Sequence, residues 1–226
     1  VGDSHTVFFC GQDFLSYKKL KNGITTACCA LKPFKNYHLG ACLAFNTMNE
    51  NASVNTFKKT KFMLENGWLP ENSIVLTSFG EIDIRVHLLK RAEKTSLEEE
   101  IDNILANYLE YIKMLQRHRL KVIVWAPVAS QDDDCPKDEL LPSYGSEYER
   151  NFATKLFGEK LQKLADEHGF LCCSIFKYLV DENLKTKTEY YVDGYHLGSK
   201  ALPFMAKEFL DKGIFRVEGD TLKIGY

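Results

Sequence analysis

Four continuous apolar runs constrain this chain more than any other feature. Ile24–Leu31 reads ITTACCAL, Ser73–Phe79 reads SIVLTSF, Lys121–Val128 reads KVIVWAPV and Phe170–Ile175 reads FLCCSI. None alternates apolar with polar residues, so each suits a strand covered on both faces, as in a parallel sheet. Helical patterns lie between them. Ser96-Leu97-Glu98-Glu99 has the form of a capping box, and Ile101, Ile104, Leu105, Tyr108, Leu109, Ile112 and Leu115 follow at helical spacing. A second helix is predicted from about Glu147 to His168, with Phe152, Leu156, Leu161 and Leu164 inward and Gly169 placed to stop it. A third starts near Ser199 and ends before Gly213, with Pro203 tolerable in its first turn, and a shorter one covers Asn55–Asn66. Phe215–Tyr226, with Glu218-Gly219-Asp220 between two apolar segments, reads as a closing hairpin.

Strand–helix alternation predicts an α/β fold: one domain over residues 1–226, a three-layer α/β/α sandwich with a central parallel sheet, flavodoxin-like in kind. Ligands of such sheets sit beyond the carboxyl ends of the strands. That rule selects the loops Lys32–Phe45, Gly80–Lys90 and Ala129–Ser146. A net charge of -2 gives no electrostatic case for nucleic acid or an anionic membrane surface. No apolar run approaches the roughly 20 residues of a membrane span. The seven cysteines include the adjacent pairs Cys28-Cys29 and Cys172-Cys173 but no C-x-x-C, so they read as buried, reduced thiols and favour a cytoplasmic setting. No histidine spacing suits a metal, and neither metal nor cofactor is expected. Asp132-Asp133-Asp134 lacks the alternation of a calcium loop and reads as solvated.

Two short elements at opposite ends carry chemistry. Gly2-Asp3-Ser4 opens the chain, and Asp193-Gly194-Tyr195-His196 stands near its close. A serine hydroxyl is a weak nucleophile at neutral pH and needs a base within reach, itself oriented by a third group. Ser4, His196 and Asp193 offer one residue for each role. Directly after the second apolar run come Gly80-Glu81-Ile82-Asp83-Ile84-Arg85-Val86-His87, which crowd polar groups onto a strand's carboxyl end. Glu81 and Arg85 stand at i,i+4 spacing, which suits an ion pair.

In these residues the chain resembles the SGNH (GDSL) hydrolases. That family carries Gly-Asp-Ser in its first block, a glycine in the second, Gly-x-Asn-Asp in the third and Asp-x-x-His in the last. Gly2-Asp3-Ser4, Gly40, Gly80-Glu81-Ile82-Asp83 and Asp193-Gly194-Tyr195-His196 stand in that order here. The resemblance implies Ser4 as nucleophile, His196 as general base and acid, and Asp193 as its orienter. It implies an oxyanion hole built from the Ser4 and Gly40 N–H groups and a third-block asparagine. Ile82 holds the asparagine position and cannot donate, so Arg85 is the candidate replacement, oriented by Glu81, with His5 and His87 as further candidates to line the cleft and Asp83 as a structural acceptor. The resemblance also implies a strand leading into Gly2, where only Val1 stands; Val7–Cys10 is the apolar stretch after the serine. The Gly-Glu-Ile-Asp-x-Arg-x-His form resembles SGNH-type domains of glycan-modifying proteins. It implies a serine esterase that removes an acyl group, acetyl first, from a carbohydrate. Two other readings stay open: an O-acyltransferase using the same serine, and a glycan-binding module that lost catalysis.

Overall fold

The structure, a computed structural model, describes every residue except Leu15, Lys32, Pro33, Lys137 and Asp220, and every side chain of those but that of Leu222. The first two residues of the expected Lys32–Phe45 loop and the Asp220 of the hairpin turn therefore lie outside the described residues. In chain order the strands are β1 (Lys18–Lys19), β2 (Thr25–Thr26), β3 (Ile74–Ser78), β4 (Lys121–Trp125), β5 (Leu171–Cys173), β6 (Phe215–Glu218) and β7 (Thr221–Ile224). The helices are α1 (Thr56–Glu65), α2 (Leu89–Ala92), α3 (Leu97–Arg117), α4 (Glu147–His168), α5 (Phe176–Leu179) and α6 (Leu202–Asp211).

The central sheet is parallel, with β4 between β3 and β5: Val75 pairs with Val122, and Val124 with Cys172. Side chains alternate across β4, and both sets are buried. Val122 and Val124 point to one face, where they meet Ile104, Tyr108 and Ile112 of α3 and Phe157 and Leu161 of α4. Ile123 and Trp125 point to the other, against Phe8, Phe9, Met205 and Phe209. Burial on both faces explains why the strand sequence is continuously apolar, and the two clusters make the three layers.

The segment before Ser4 contributes a single strand residue. The Asp3 N–H donates to the Ser78 carbonyl at 3.2 Å and the Ser78 N–H to the Val1 carbonyl at 3.1 Å. On the other side the Gly2 N–H donates to Tyr37 at 3.2 Å and the Leu39 N–H to Gly2 at 2.8 Å. Gly2 therefore extends the parallel sheet beyond β3, with His38 beyond it. A Cβ on Gly2 would lie 2.1 Å from the Ser78 carbonyl oxygen, so only glycine permits this approach. Val7–Cys10 is not a strand; it belongs to a buried 3₁₀ helix, Ser4–Cys10.

Three expectations need correction. Ile24–Leu31 is not a parallel strand: among the described residues only Thr25–Thr26 of it pairs, antiparallel to β1 and, at Thr25, to His38. The rest of the run hugs the 3₁₀ helix, where Ala27 packs on Val7 and Cys10 and the Ala30 N–H donates to the Cys10 carbonyl at 2.8 Å. Gly80–Lys90 is not a loop. Its chain is helical from Glu81, passes through a π-helical stretch at Asp83–Leu88 and runs on into α2. Phe152 faces outward, 43% exposed and stacked on Tyr148, because α4 turns its Ala153, Phe157, Leu161 and Ala165 stripe to the core. One residue of phase, about 100° of rotation, separates the two.

Helix ends follow the local chemistry. Ser96 caps α3 by accepting from the Glu99 N–H at 3.1 Å. The complete capping box stands at α4, between Ser146 and Glu149, and Gly169 ends that helix at φ 69°. Pro203 sits in the first turn of α6. β6 and β7 form the expected antiparallel hairpin. Among the described residues no helix is long and apolar enough to cross a membrane.

Candidate active site

Two carboxyl ends and one distant hairpin meet at Ser4. Ser4 opens the 3₁₀ helix two residues after Gly2, and the Asp3 carboxylate between them caps that helix by accepting from the His5 N–H at 3.0 Å. The hairpin carrying Asp193 and His196 is closed by a bond from the Val192 N–H to the His196 carbonyl at 2.9 Å and by the Tyr191–Leu197 pairing. Asp193 Oδ1 accepts from the N–H groups of Tyr195 (3.0 Å) and His196 (2.8 Å). Its Oδ2 lies 2.7 Å from His196 Nδ1, and His196 Nε2 lies 2.7 Å from Ser4 Oγ. Burial pushes the Asp193 carboxyl up, but the His196 ring and these backbone donors outweigh it and bring its pKa to about 2. Asp193 is thus an anion across the neutral range. It holds the proton on Nδ1, which leaves Nε2 free to accept from Ser4.

Gly40 stands two residues after His38, the sheet neighbour of Gly2, at φ 105°. A Cβ there would press on Val54 at 3.1 Å, and the backbone conformation is one that glycine adopts freely. Among the described residues neither the Ser4 nor the Gly40 N–H has a hydrogen-bond acceptor. The Lys59 ammonium donates to the Leu39 carbonyl at 2.5 Å, which steadies the backbone leading into Gly40. Asp83 holds the far side of the same turn, accepting from the Ala44 N–H at 2.7 Å and the Phe45 N–H at 3.1 Å. Burial drives the Asp83 carboxyl up to about 6 in spite of these donors. Asp83→Ala leaves two N–H groups without their acceptor, and chemical denaturation is expected to show a loss of about 2–4 kcal/mol.

Glu81, Arg85 and His5 form one buried network. Arg85 Nε lies 2.5 Å from Glu81 Oε1, a second guanidinium nitrogen lies 3.3 Å from Oε2, and the third donates to the Leu141 carbonyl at 2.5 Å. The guanidinium carbon sits 4.7 Å over the ring of Tyr195. His5 Nε2 lies 3.3 Å from Glu81 Oε2, and its ring is 5.0 Å from that of His196. Burial alone would raise the Glu81 pKa; Arg85 and His5 reverse that and hold it at about 2. Burial pulls His5 down, but its bond to Glu81 and the charge of Asp3 leave it raised. Arg85 thus ties the helical segment after β3 to the 129–146 loop and to the His196 hairpin.

Ser4, Asp193, His196 and His5 come together, and Glu81 and Arg85 adjoin them through His5 and Tyr195. His87 does not: it is half-buried further along the helix, its pKa lowered by burial and by Arg91 and Lys90, and it makes no hydrogen bond or ion pair with the site among the described residues. Ile82 is buried at 3% exposure and has no donor to offer. Asp133 in the acidic loop pairs with Arg150 at 2.9 Å. Among the described residues no cluster suits a metal. Sequence reasoning did not find the small cavity of about 10 Å³ against Ser4 and His196, lined by Val7, Phe8, Phe14, Val192 and Leu197. Nothing in the sequence signals it, since its walls come from separate segments. A larger cavity, about 340 Å³, lies between Trp68, Ile74 and Phe209 and shares none of the expected site residues.

A scan of protein-family models finds no match to this chain, and a search of curated proteins finds none either. Among solved structures it is similar to phospholipase A1 from Streptomyces albidoflavus, at 14% identity over 92% of this chain and 96% of that one, with a TM-score of 0.46. It is also similar to a GDSL-like lipase from Bacteroides thetaiotaomicron, at 15% identity over 62% of this chain and 60% of that one, with a TM-score of 0.40. Likeness at this level fixes no reaction, so the chemistry has to be read from the side chains.

Proposed function

We propose that the chain is a serine esterase of SGNH type that removes a small acyl group, acetyl first, from a carbohydrate hydroxyl. The observation that carries the reading is the hydrogen-bonded line from Ser4 Oγ through His196 to Asp193, at 2.7 Å on each side of the imidazole. In the reaction Ser4 Oγ bonds to the ester carbonyl carbon as its proton passes to His196 Nε2. The carbonyl becomes an oxyanion, which the Ser4 and Gly40 N–H groups receive. The tetrahedral intermediate collapses, the C–O bond to the sugar breaks, and His196 returns its proton to the departing hydroxyl. Water then repeats the sequence on the acyl-enzyme and releases the acid and free Ser4.

The acetyl assignment draws on the cavity of about 10 Å³ beside Ser4. That is about the least space one water needs, so it has no room for a long acyl chain and favours the smallest one. The carbohydrate assignment draws on the resemblance of Gly80–His87 to SGNH-type domains of glycan-modifying proteins. Ile82 in place of a third donor favours a slow enzyme, since one missing oxyanion donor costs about 10²–10³ in rate. The acyl-enzyme that forms is equally able to pass its acyl group to a sugar hydroxyl, and added acceptor sugar measures that partition.

The test compares acetyl, butanoyl and octanoyl esters of p-nitrophenol, then acetate release from O-acetylated oligosaccharides. The expected outcome is a fall in kcat/KM of about tenfold or more from acetyl to butanoyl, from the cost of two extra methylenes in a filled pocket, and acetate release from the oligosaccharide. Octanoyl as the best substrate would sink the acetyl assignment. Brisk acetyl-ester hydrolysis without acetate from any glycan would sink the carbohydrate one.

A further inference from the structure

We propose that Cys10 and Cys29 are a disulfide site, already held by the fold in position to bond. Cys10 ends the 3₁₀ helix that begins at Ser4, and its Sγ lies 2.9 Å from Cys29 Sγ. Non-bonded carbons rest about 3.5–4.0 Å apart, and sulfur is larger. A separation of 2.9 Å lies between contact and the ~2.05 Å of a disulfide. The two backbones are tied together as well: the Ala30 N–H donates to the Cys10 carbonyl at 2.8 Å and the Leu31 N–H to the same oxygen at 3.4 Å. Val7, Ala27 and Tyr17 pack around the pair and hold it in a small apolar cluster of its own.

The three nearby thiols differ in access. Cys10 is buried, Cys29 half-buried and Cys28 exposed. Burial raises the Cys10 thiol well above its ordinary range, so it makes a poor first nucleophile. The sequence of bonds follows from that order. The Cys29 thiolate attacks a low-molecular-weight disulfide, forms a mixed disulfide and expels one thiolate. Cys10, losing its proton, then attacks Cys29 Sγ and expels the second. The two protein thiols are oxidised to one disulfide, the small disulfide is reduced to two thiols, and the two protons leave with them. The crosslink pins the carboxyl end of the helix whose amino end carries Ser4, and it closes a loop across 19 positions.

The test uses glutathione disulfide on the folded chain, followed by alkylation of the remaining thiols and peptide mapping. The expected result is a Cys10–Cys29-linked peptide, no glutathione retained on either residue, and a Tm raised by about 5 °C or more. Cys28→Ser keeps the link. Cys29→Ser loses it and leaves Cys10 alkylated. Glutathione held on Cys29, full alkylation of Cys10 in the oxidised wild type, or a link through Cys28 would each overturn the assignment. So would a linked protein that melts below the dithiol, because the native fold would then not hold the pair ready. None of these readouts involves ester chemistry, so this proposal and the esterase reading fail separately.

Discussion

Ser4→Ala is expected to lower kcat/KM for p-nitrophenyl acetate by about 10⁴-fold or more, leaving only what the backbone donors and binding supply. The size follows from the role: without Oγ no acyl-enzyme forms, and His196 has only water to activate. Stability should hardly change. Ser4 is half-buried and, among the described residues, its hydroxyl bonds His196 alone, so the alanine variant loses one partly exposed hydrogen bond. An unchanged Tm with activity gone separates a missing nucleophile from a damaged fold. A residual rate within tenfold of wild type would remove Ser4 from the chemistry.

Glu81→Ala is expected to cost about 3–5 kcal/mol of stability, the largest loss from any single polar side chain in the site. Glu81 and Arg85 are 7% and 5% exposed, and Glu81 Oε1 and Oε2 take donors from both Arg85 and His5. Removing the carboxylate leaves a buried guanidinium, and His5 beside it, without their anion. Arg85→Met together with Glu81→Leu should recover much of the loss, because an apolar pair replaces the ion pair without stranding the guanidinium. The pH dependence has a definite sign. The Glu81 carboxyl has its pKa lowered from 4.5 to about 2, so its contribution is complete above the ordinary value and fades as pH falls toward 2. Denaturation of wild type and Glu81→Leu/Arg85→Met between pH 7 and 2 checks this. The wild type should lose stability below about pH 4.5 more steeply than the double variant.

The sequence made the site legible to the extent that chemistry was local. Asp193 and His196 stand three apart, so a single tight hairpin brings one side chain to the other, and two residues before Ser4 stands Gly2, which the close approach of Ser78 requires. The parallel strands were legible because β4 is buried on both faces and its sequence is apolar throughout. The same logic failed at Ile24–Leu31. That run is apolar because Ala27 and Cys29 pack on the 3₁₀ helix, and beyond Thr26 its backbone bonds to the Asn36 side chain and the Cys10 carbonyl rather than to a neighbouring strand. Composition cannot distinguish burial beside a helix from burial in a sheet. Glu81 and Arg85 were legible as an i,i+4 pair, but the Leu141 carbonyl and the Tyr195 ring that complete the setting of Arg85 come from loops far along the chain. The π-helical stretch at Asp83–Leu88 likewise has no local signature. It arises where a helix must start at a strand's end and still carry Asp83 to the Gly40 turn and Arg85 to the His196 hairpin.

Covalent labelling decides whether Ser4 is a nucleophile activated by His196. The chain is treated with a fluorophosphonate probe, digested, and the modified residue identified by mass spectrometry, for wild type and His196→Ala side by side. A single adduct on Ser4 is expected in the wild type and none in His196→Ala. An adduct on another serine, or equal labelling of Ser4 with and without His196, would contradict it.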